Sequence, residues 1–262
     1  MHKLIISLIL VFAISISLPA YCGVVQGGVE KQGLEDSNQI VDSETNEPVS
    51  RAKISIPQKN YRTYSDSSGR FELGSKIDGQ TVMSVEKAGY KPFSMTINEK
   101  MAATPLVLGI EKSTPQDITI ETNMFHLGDN NFSDVSANAR EFRVKTIGPY
   151  YSKNFKIKSV TTGSASNLVI GSIIGVDTEL AKSMGQNKVT NAFSSPPEVF
   201  FNGSKIAEIQ VNGDGQRIRV PNSLIKQNQL NEVTIKTGRN LMQRSYVDYD
   251  DIEFMNLSIE NY

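Results

Sequence analysis

The chain has 262 residues, 39% of them apolar and 21% charged, with a formal net charge of −1. That length admits two domains, and a balanced charge without any run of Lys and Arg excludes the electrostatic footprint of a nucleic-acid binder. The only cysteine, Cys22, excludes an intrachain disulfide and any thiolate metal cluster.

Residues 1–22 open with Lys3, continue as an apolar run over residues 4–18, and reach small residues near Ala20. This is the pattern of a secretory signal peptide, and the run falls short of the span of about 20 apolar residues that crosses a membrane. Export is expected, to a secreted, periplasmic or cell-surface location, with cleavage after Ala20 or Cys22 and no transmembrane segment in the mature chain. Lipidation of Cys22 is the alternative, although Tyr21 stands where the bacterial lipoprotein pattern has Gly or Ala. Residues 23–33 are Gly-rich and aperiodic, which reads as a flexible leader.

From residue 34 short alternating runs begin, rich in β-branched residues and without long helical periodicity, which predicts an all-β fold. Ile40-Val41 precedes a turn segment over residues 42–48. Ala52, Ile54 and Ile56 then alternate with Arg51, Lys53 and Ser55, and Tyr61, Thr63 and Ser65 alternate next. After the turn at Asp66-Ser67-Ser68-Gly69 come strands over residues 70–73, 81–85, 93–97 and 105–110. About seven short strands in so few residues predict a small antiparallel sandwich over residues 34–113.

The anchors Val41-Asp42, Pro48-Val49, residues 52–56, residues 65–73 and Ala88-Gly89-Tyr90 closely resemble the carboxypeptidase regulatory-like domain. The resemblance implies a transthyretin-like, Ig-like sandwich of seven strands. Gly69 would free the backbone at a hairpin, and Pro48 would stiffen the entry to the next strand. In metallocarboxypeptidases this module accompanies a separate zinc-binding catalytic domain. The histidines here are His2 and His126, too few for such a centre, so the resemblance implies a spacer or folding support.

Residues 113–115 read as a linker, and residues 116–262 as a second, larger sandwich. Residues 118–122 predict a strand and residues 123–134 a polar loop; residues 142–144, 150–157 and 168–176 predict further strands, the last nearly all apolar and so central. Thr178 is a candidate cap for a short helical segment over residues 178–186. Val199, Phe200 and Phe201 lead into Asn202-Gly203, the strongest hairpin signal in the chain, with a returning strand through Ile206, Ile209 and Val211. After an expected turn over residues 212–215, strands follow at Ile218 and Val220, at residues 230–235, and at residues 252–259, where a slip in alternation predicts a bulge near Met255. In residues 126–132, 199–202, 218–221, 230–235 and 250–254 this half resembles the galactose-binding-like jelly rolls that serve as carbohydrate-binding modules.

Glu121, Asp129, Asn131, Asp250 and Asp251 supply hard oxygen ligands, and the resemblance implies a structural calcium held near the first and last strands. A sugar site needs aromatic faces with amides or guanidinium groups beside them. Tyr150, Tyr151, Arg239, Asn240, Arg244 and Tyr246 are the candidates, the last four in a long insertion between strands. For catalysis no nucleophile or metal motif occurs, and His126 reads as a turn or edge residue. The expected function is an exported, non-catalytic protein that binds carbohydrate or a cell-surface ligand; the alternative is a structural or adhesive surface protein that binds a protein partner.

Overall fold

Alternation with period two resolves into two stacked β-sandwiches in the computed structural model, which describes residues 37–74, 76–128, 142–158, 165–186, 194–238 and 251–261. The first sandwich contains β1 (Asn38–Asp42), β2 (Lys53–Ile56), β3 (Tyr61–Tyr64), β4 (Arg70–Phe71), β5 (Thr81–Glu86), β6 (Phe93–Ile97) and β7 (Val107–Ile110). These are the seven strands that the alternation predicts. They form a three-stranded sheet, β4-β1-β7, and a four-stranded one, β3-β2-β5-β6, with β1 and β7 parallel. The two sheets close on Ile40, Ile54, Ile56, Phe71, Met83 and Ile97. At Gly69, φ is +73°, and a Cβ there would lie 2.4 Å from the Ile40 carbonyl oxygen, so the hairpin between β3 and β4 admits only glycine without strain. The Asp42 carboxylate fixes the turn after β1 by accepting the backbone N–H groups of Glu44 and Thr45.

The second sandwich contains β8 (Ile118–Leu127), β9 (Tyr150–Lys156), β10 (Ser166–Ile174), β11 (Glu198–Phe201), β12 (Ser204–Glu208), β13 (Gly213–Val220), β14 (Leu230–Lys236) and β15 (Ile252–Asn261). Its sheets have the orders β13-β10-β15-β8 and β12-β11-β14-β9. Counting these strands from one to eight, the sheets read 1-8-3-6 and 2-7-4-5, which is the double Greek key of a jelly roll. Asn202 and Gly203 both take positive φ, 48° and 81°, as a two-residue hairpin between β11 and β12 requires. Thr178 caps α1 (Glu179–Ser183) by accepting the Ala181 N–H at 3.1 Å.

Three local expectations are corrected. Residues 123–127, read as a loop, continue β8, because Met124 and His126 are buried on one face of the strand and Leu127 on the other. Residues 142–144 are not a strand, and β13 begins at Gly213 inside the expected turn.

The β13-β10-β15-β8 sheet lies between two neighbours. One face packs on the β12-β11-β14-β9 sheet through Leu168, Ile170, Phe201, Val233, Phe254 and Leu257. The other faces the first sandwich, where Val82, Met124, Phe142, Ile174 and Met255 form a third apolar cluster and β6 lies against β10 and β13. The chain from Leu34 onward is consequently one compact unit. Double coverage explains why β10 and β15 are buried at nearly every position instead of at alternate ones.

A transverse crease crosses this middle sheet. On β10, Ile170 and Ile173 face the jelly-roll core while Ser172, between them, bonds the first sandwich; on β15, Phe254 and Leu257 do the same around Met255 and Asn256. The register of β15 against β8 shifts here, which places the bulge at Met255 and Asn256 as the slip in alternation predicts. At the crease Gly171 has no side chain to hold β6 off: a Cβ would come within 2.6 Å of Ser94 Oγ. Ser172 Oγ bonds Ser94 Oγ at 2.9 Å, and Asp214 accepts from the backbone N–H and hydroxyl of Thr96, each at 2.9 Å. No helix among the described residues is long and apolar enough to cross a membrane.

Candidate functional site

Of the expected calcium set, the two described members, Glu121 and Asp251, are not brought together. Asp129, Asn131 and Asp250 lie outside the described residues. Glu121 pairs opposite Leu257 and Leu127 opposite Ile252, so Glu121 and Asp251 are about six residues apart along the β8–β15 ladder, roughly 20 Å at about 3.3 Å per residue. The Glu121 carboxylate is already engaged: it accepts the backbone N–H groups of Thr122 and Asn123 at 3.0 Å and pairs with Lys153 at 3.4 Å. Burial pushes its pKa up, but those N–H groups and Lys153 outweigh burial and hold it below the usual value. Among the described residues no three acidic, histidine or cysteine side chains gather as metal ligands.

Of the expected ligand-binding residues, Arg239, Asn240, Arg244 and Tyr246 also lie outside the described residues. Tyr151 is corrected to a core residue. Its ring packs on Phe125 and Phe254 at centroid distances of 4.6 and 5.4 Å, and its hydroxyl donates to Glu121 Oε2 at 3.2 Å. Burial, with Glu121 beside it, pushes the phenol pKa up. Tyr150 points the other way along β9 and is 56% exposed, level with Lys236 of β14.

His126, read as a turn or edge residue, is instead fully buried in β8. Its Nδ1 faces the Val144 carbonyl at 2.9 Å and its Nε2 faces Asp251 Oδ1 at 3.3 Å, while the ring stacks on Phe142 at 4.8 Å. Both nitrogens face acceptors, which favours the protonated ring. Burial pulls the pKa down, yet the bonds to Asp251 and Val144 outweigh it and the net direction is upward. No ring nitrogen is left to take a proton from a substrate.

The same network joins the two sandwiches. The Val144 N–H donates to Glu253 Oε1 at 3.1 Å, and the Gln58 amide of the first sandwich donates to Glu253 Oε2. Gln58 Oε1 in turn accepts the Thr81 hydroxyl and, at 2.9 Å, the Val82 N–H. Burial raises the Glu253 pKa, with the Val144 N–H and the Gln58 amide opposing.

Beside this network the surface opens into a cleft of about 600 Å³. Its floor is the outer half of the β3-β2-β5-β6 sheet, and its wall is β8 with Arg143 and Val144. Alternation decides what the floor presents. Ile54 and Ile56 turn into the core, so Lys53 and Ser55 face the cleft. Across the ladder Lys53 pairs with Tyr64 and Glu86, and Ser55 with Arg62 and Ser84, so these side chains share one face in two rows. The β5–β6 side of that face carries Ser84, Ser94 and Thr96 and is covered by the crease. The β2–β3 side remains open.

Within the cleft Lys53 Nζ bonds Glu86 Oε1 at 2.7 Å, and Ser55 Oγ bonds Ser84 Oγ at 2.8 Å. Arg62 is exposed and, among the described residues, makes no ion pair or hydrogen bond. Arg143 Nη1 donates to the Phe142 carbonyl at 3.1 Å. Tyr64 is 58% exposed, and the amides of Asn60 and Asn123 lie at the cleft rim, also exposed. The Arg62 guanidinium and the rim amides can hydrogen-bond a polar ligand in the trough, and the Tyr64 ring, on the same sheet face beside the residues that line it, can stack on a part of that ligand. Sequence reasoning passed over these residues. The signal was the polar phase of β2 and β3, but nothing in one strand reveals which polar face a second sandwich leaves uncovered.

Residues 37–118 match the CarboxypepD_reg-like domain family, a span that takes in all seven strands of the first sandwich. No curated protein matches the chain.

Proposed function

We propose that this chain is an exported, non-catalytic binding protein that takes a carbohydrate or a saccharide-bearing surface ligand in the cleft between its two sandwiches. The observation that carries the reading is the trough of about 600 Å³ with Arg62 on its floor, unpaired among the described residues, and the exposed ring of Tyr64 in the neighbouring row. On this reading the CarboxypepD_reg-like sandwich is half of the binding site as well as a support, and the jelly roll, whose sequence resembles galactose-binding-like modules, supplies the wall.

The test is binding of the purified chain to immobilised glycans, compared with Arg62→Ala and Tyr64→Ala. Both side chains are exposed, so neither change should disturb folding. The expected outcome is glycan binding that weakens about tenfold or more in each variant, since a guanidinium bond or a ring stack is worth about 1–2 kcal/mol. A silent array alongside a stable complex with a protein from the cell surface would replace this reading with that of an adhesive protein.

A further inference from the structure

The charge of the cleft narrows the ligand. It is lined by Lys53, Arg62 and Arg143 against the single carboxylate of Glu86, a balance of three cations to one anion. Glu86 is already occupied by Lys53 at 2.7 Å and Arg143 is engaged with the Phe142 carbonyl, so the trough offers an incoming ligand the guanidinium of Arg62 and no free carboxylate among its described residues. A neutral sugar has no use for that surplus, and desolvating it would cost binding.

From this balance, and resting on the proposed carbohydrate reading, we infer that the ligand is an acidic saccharide whose carboxylate is held by Arg62 while the sugar ring stacks on Tyr64. Arg62 and Tyr64 are two residues apart on one strand and project to the same side, so their Cα atoms are about 7 Å apart. That spacing suits one pyranose unit, its CH face on the phenol ring and its exocyclic carboxylate on the planar guanidinium, a bidentate pairing that lysine does not reproduce. Asn60 and Asn123 at the rim supply donors and acceptors for ring hydroxyls.

The experiment is calorimetric titration of the full chain with an oligogalacturonide, with the same oligomer fully methyl-esterified, and with an oligoglutamate peptide. The acid oligomer should bind, with affinity falling as salt rises; the ester, whose carboxyl groups are methyl-capped and uncharged, should bind at least tenfold more weakly. Arg62→Gln should abolish the preference of acid over ester, and Arg62→Lys should restore only part of it. Equal binding of acid and ester overturns the acidic class and leaves the carbohydrate reading standing. No binding of either, with a silent neutral glycan array, overturns both. Oligoglutamate binding as tightly as the oligogalacturonide, or a preference for acid that survives Arg62→Gln, overturns the inference.

Discussion

His126, Asp177 and Glu253 are buried titratable groups whose pKa values move in the same direction for different reasons. His126 is raised by two acceptors despite its burial, whereas Glu253 and Asp177 are raised by burial itself, Asp177 to about 7 from 3.8. A folded-state pKa above the unfolded one contributes stability that is complete below the unfolded value and lost as pH rises through the folded one. For Asp177 that window runs from 3.8 to about 7, and for His126 it begins at 6.5. Asp42 has the opposite sign: the Thr45 N–H and its other partners hold its pKa well below 3.8, so its contribution is lost only in acid. The melting temperature should therefore fall as pH rises from mildly acidic to neutral and beyond. Asp177→Asn should flatten the lower part of that slope and His126→Gln the upper part, as a series of thermal melts against pH would reveal; a slope unchanged in both variants would refute the assignment. His126 was illegible in the sequence. A histidine among acids reads as a loop residue until the strand it occupies is known to be covered on both faces.

At the level of elements, strand existence was legible and coverage was not. Alternation in β1 to β7 and the Asn202-Gly203 turn located their elements because one face of each is apolar and the other is not. β8 was cut short because its second half, Asn123 to Leu127, faces apolar and polar partners on both sides and shows no alternation to read. Glu121 and Asp251 were grouped as calcium ligands because the first and last strands were expected to lie side by side; β8 and β15 do pair, but the register separates these two by about six residues along the ladder. Gln58, in a 3-10 turn at Pro57–Lys59, carries the polar link from the first sandwich to β15. Gln58→Ala would leave the Val82 N–H and the buried Glu253 carboxylate each short of a partner, at a cost of about 2–4 kcal/mol. Urea unfolding should register that loss at an unchanged m-value, whereas a loss below about 0.5 kcal/mol would mean that water replaces the amide without penalty.

At the scale of the whole molecule, two cores share a middle sheet. Val82, Met124, Phe142, Ile174 and Met255 are buried only because the sandwiches face each other, and Ser94, Thr96 and Gln58 have partners across that junction. Calorimetry should accordingly give a single unfolding transition whose calorimetric and van't Hoff enthalpies agree. Two resolved transitions would mean that each sandwich survives alone and that the junction contributes little. The order of the strands also sets a schedule. β15 inserts between β10 and β8, so in a growing polypeptide those two strands cannot join one sheet until β15 has emerged. Pairings this distant in sequence form slowly. The trough, whose wall is β8, would then take shape only after β15 is in place, and a product truncated before β15 would carry its floor without its side.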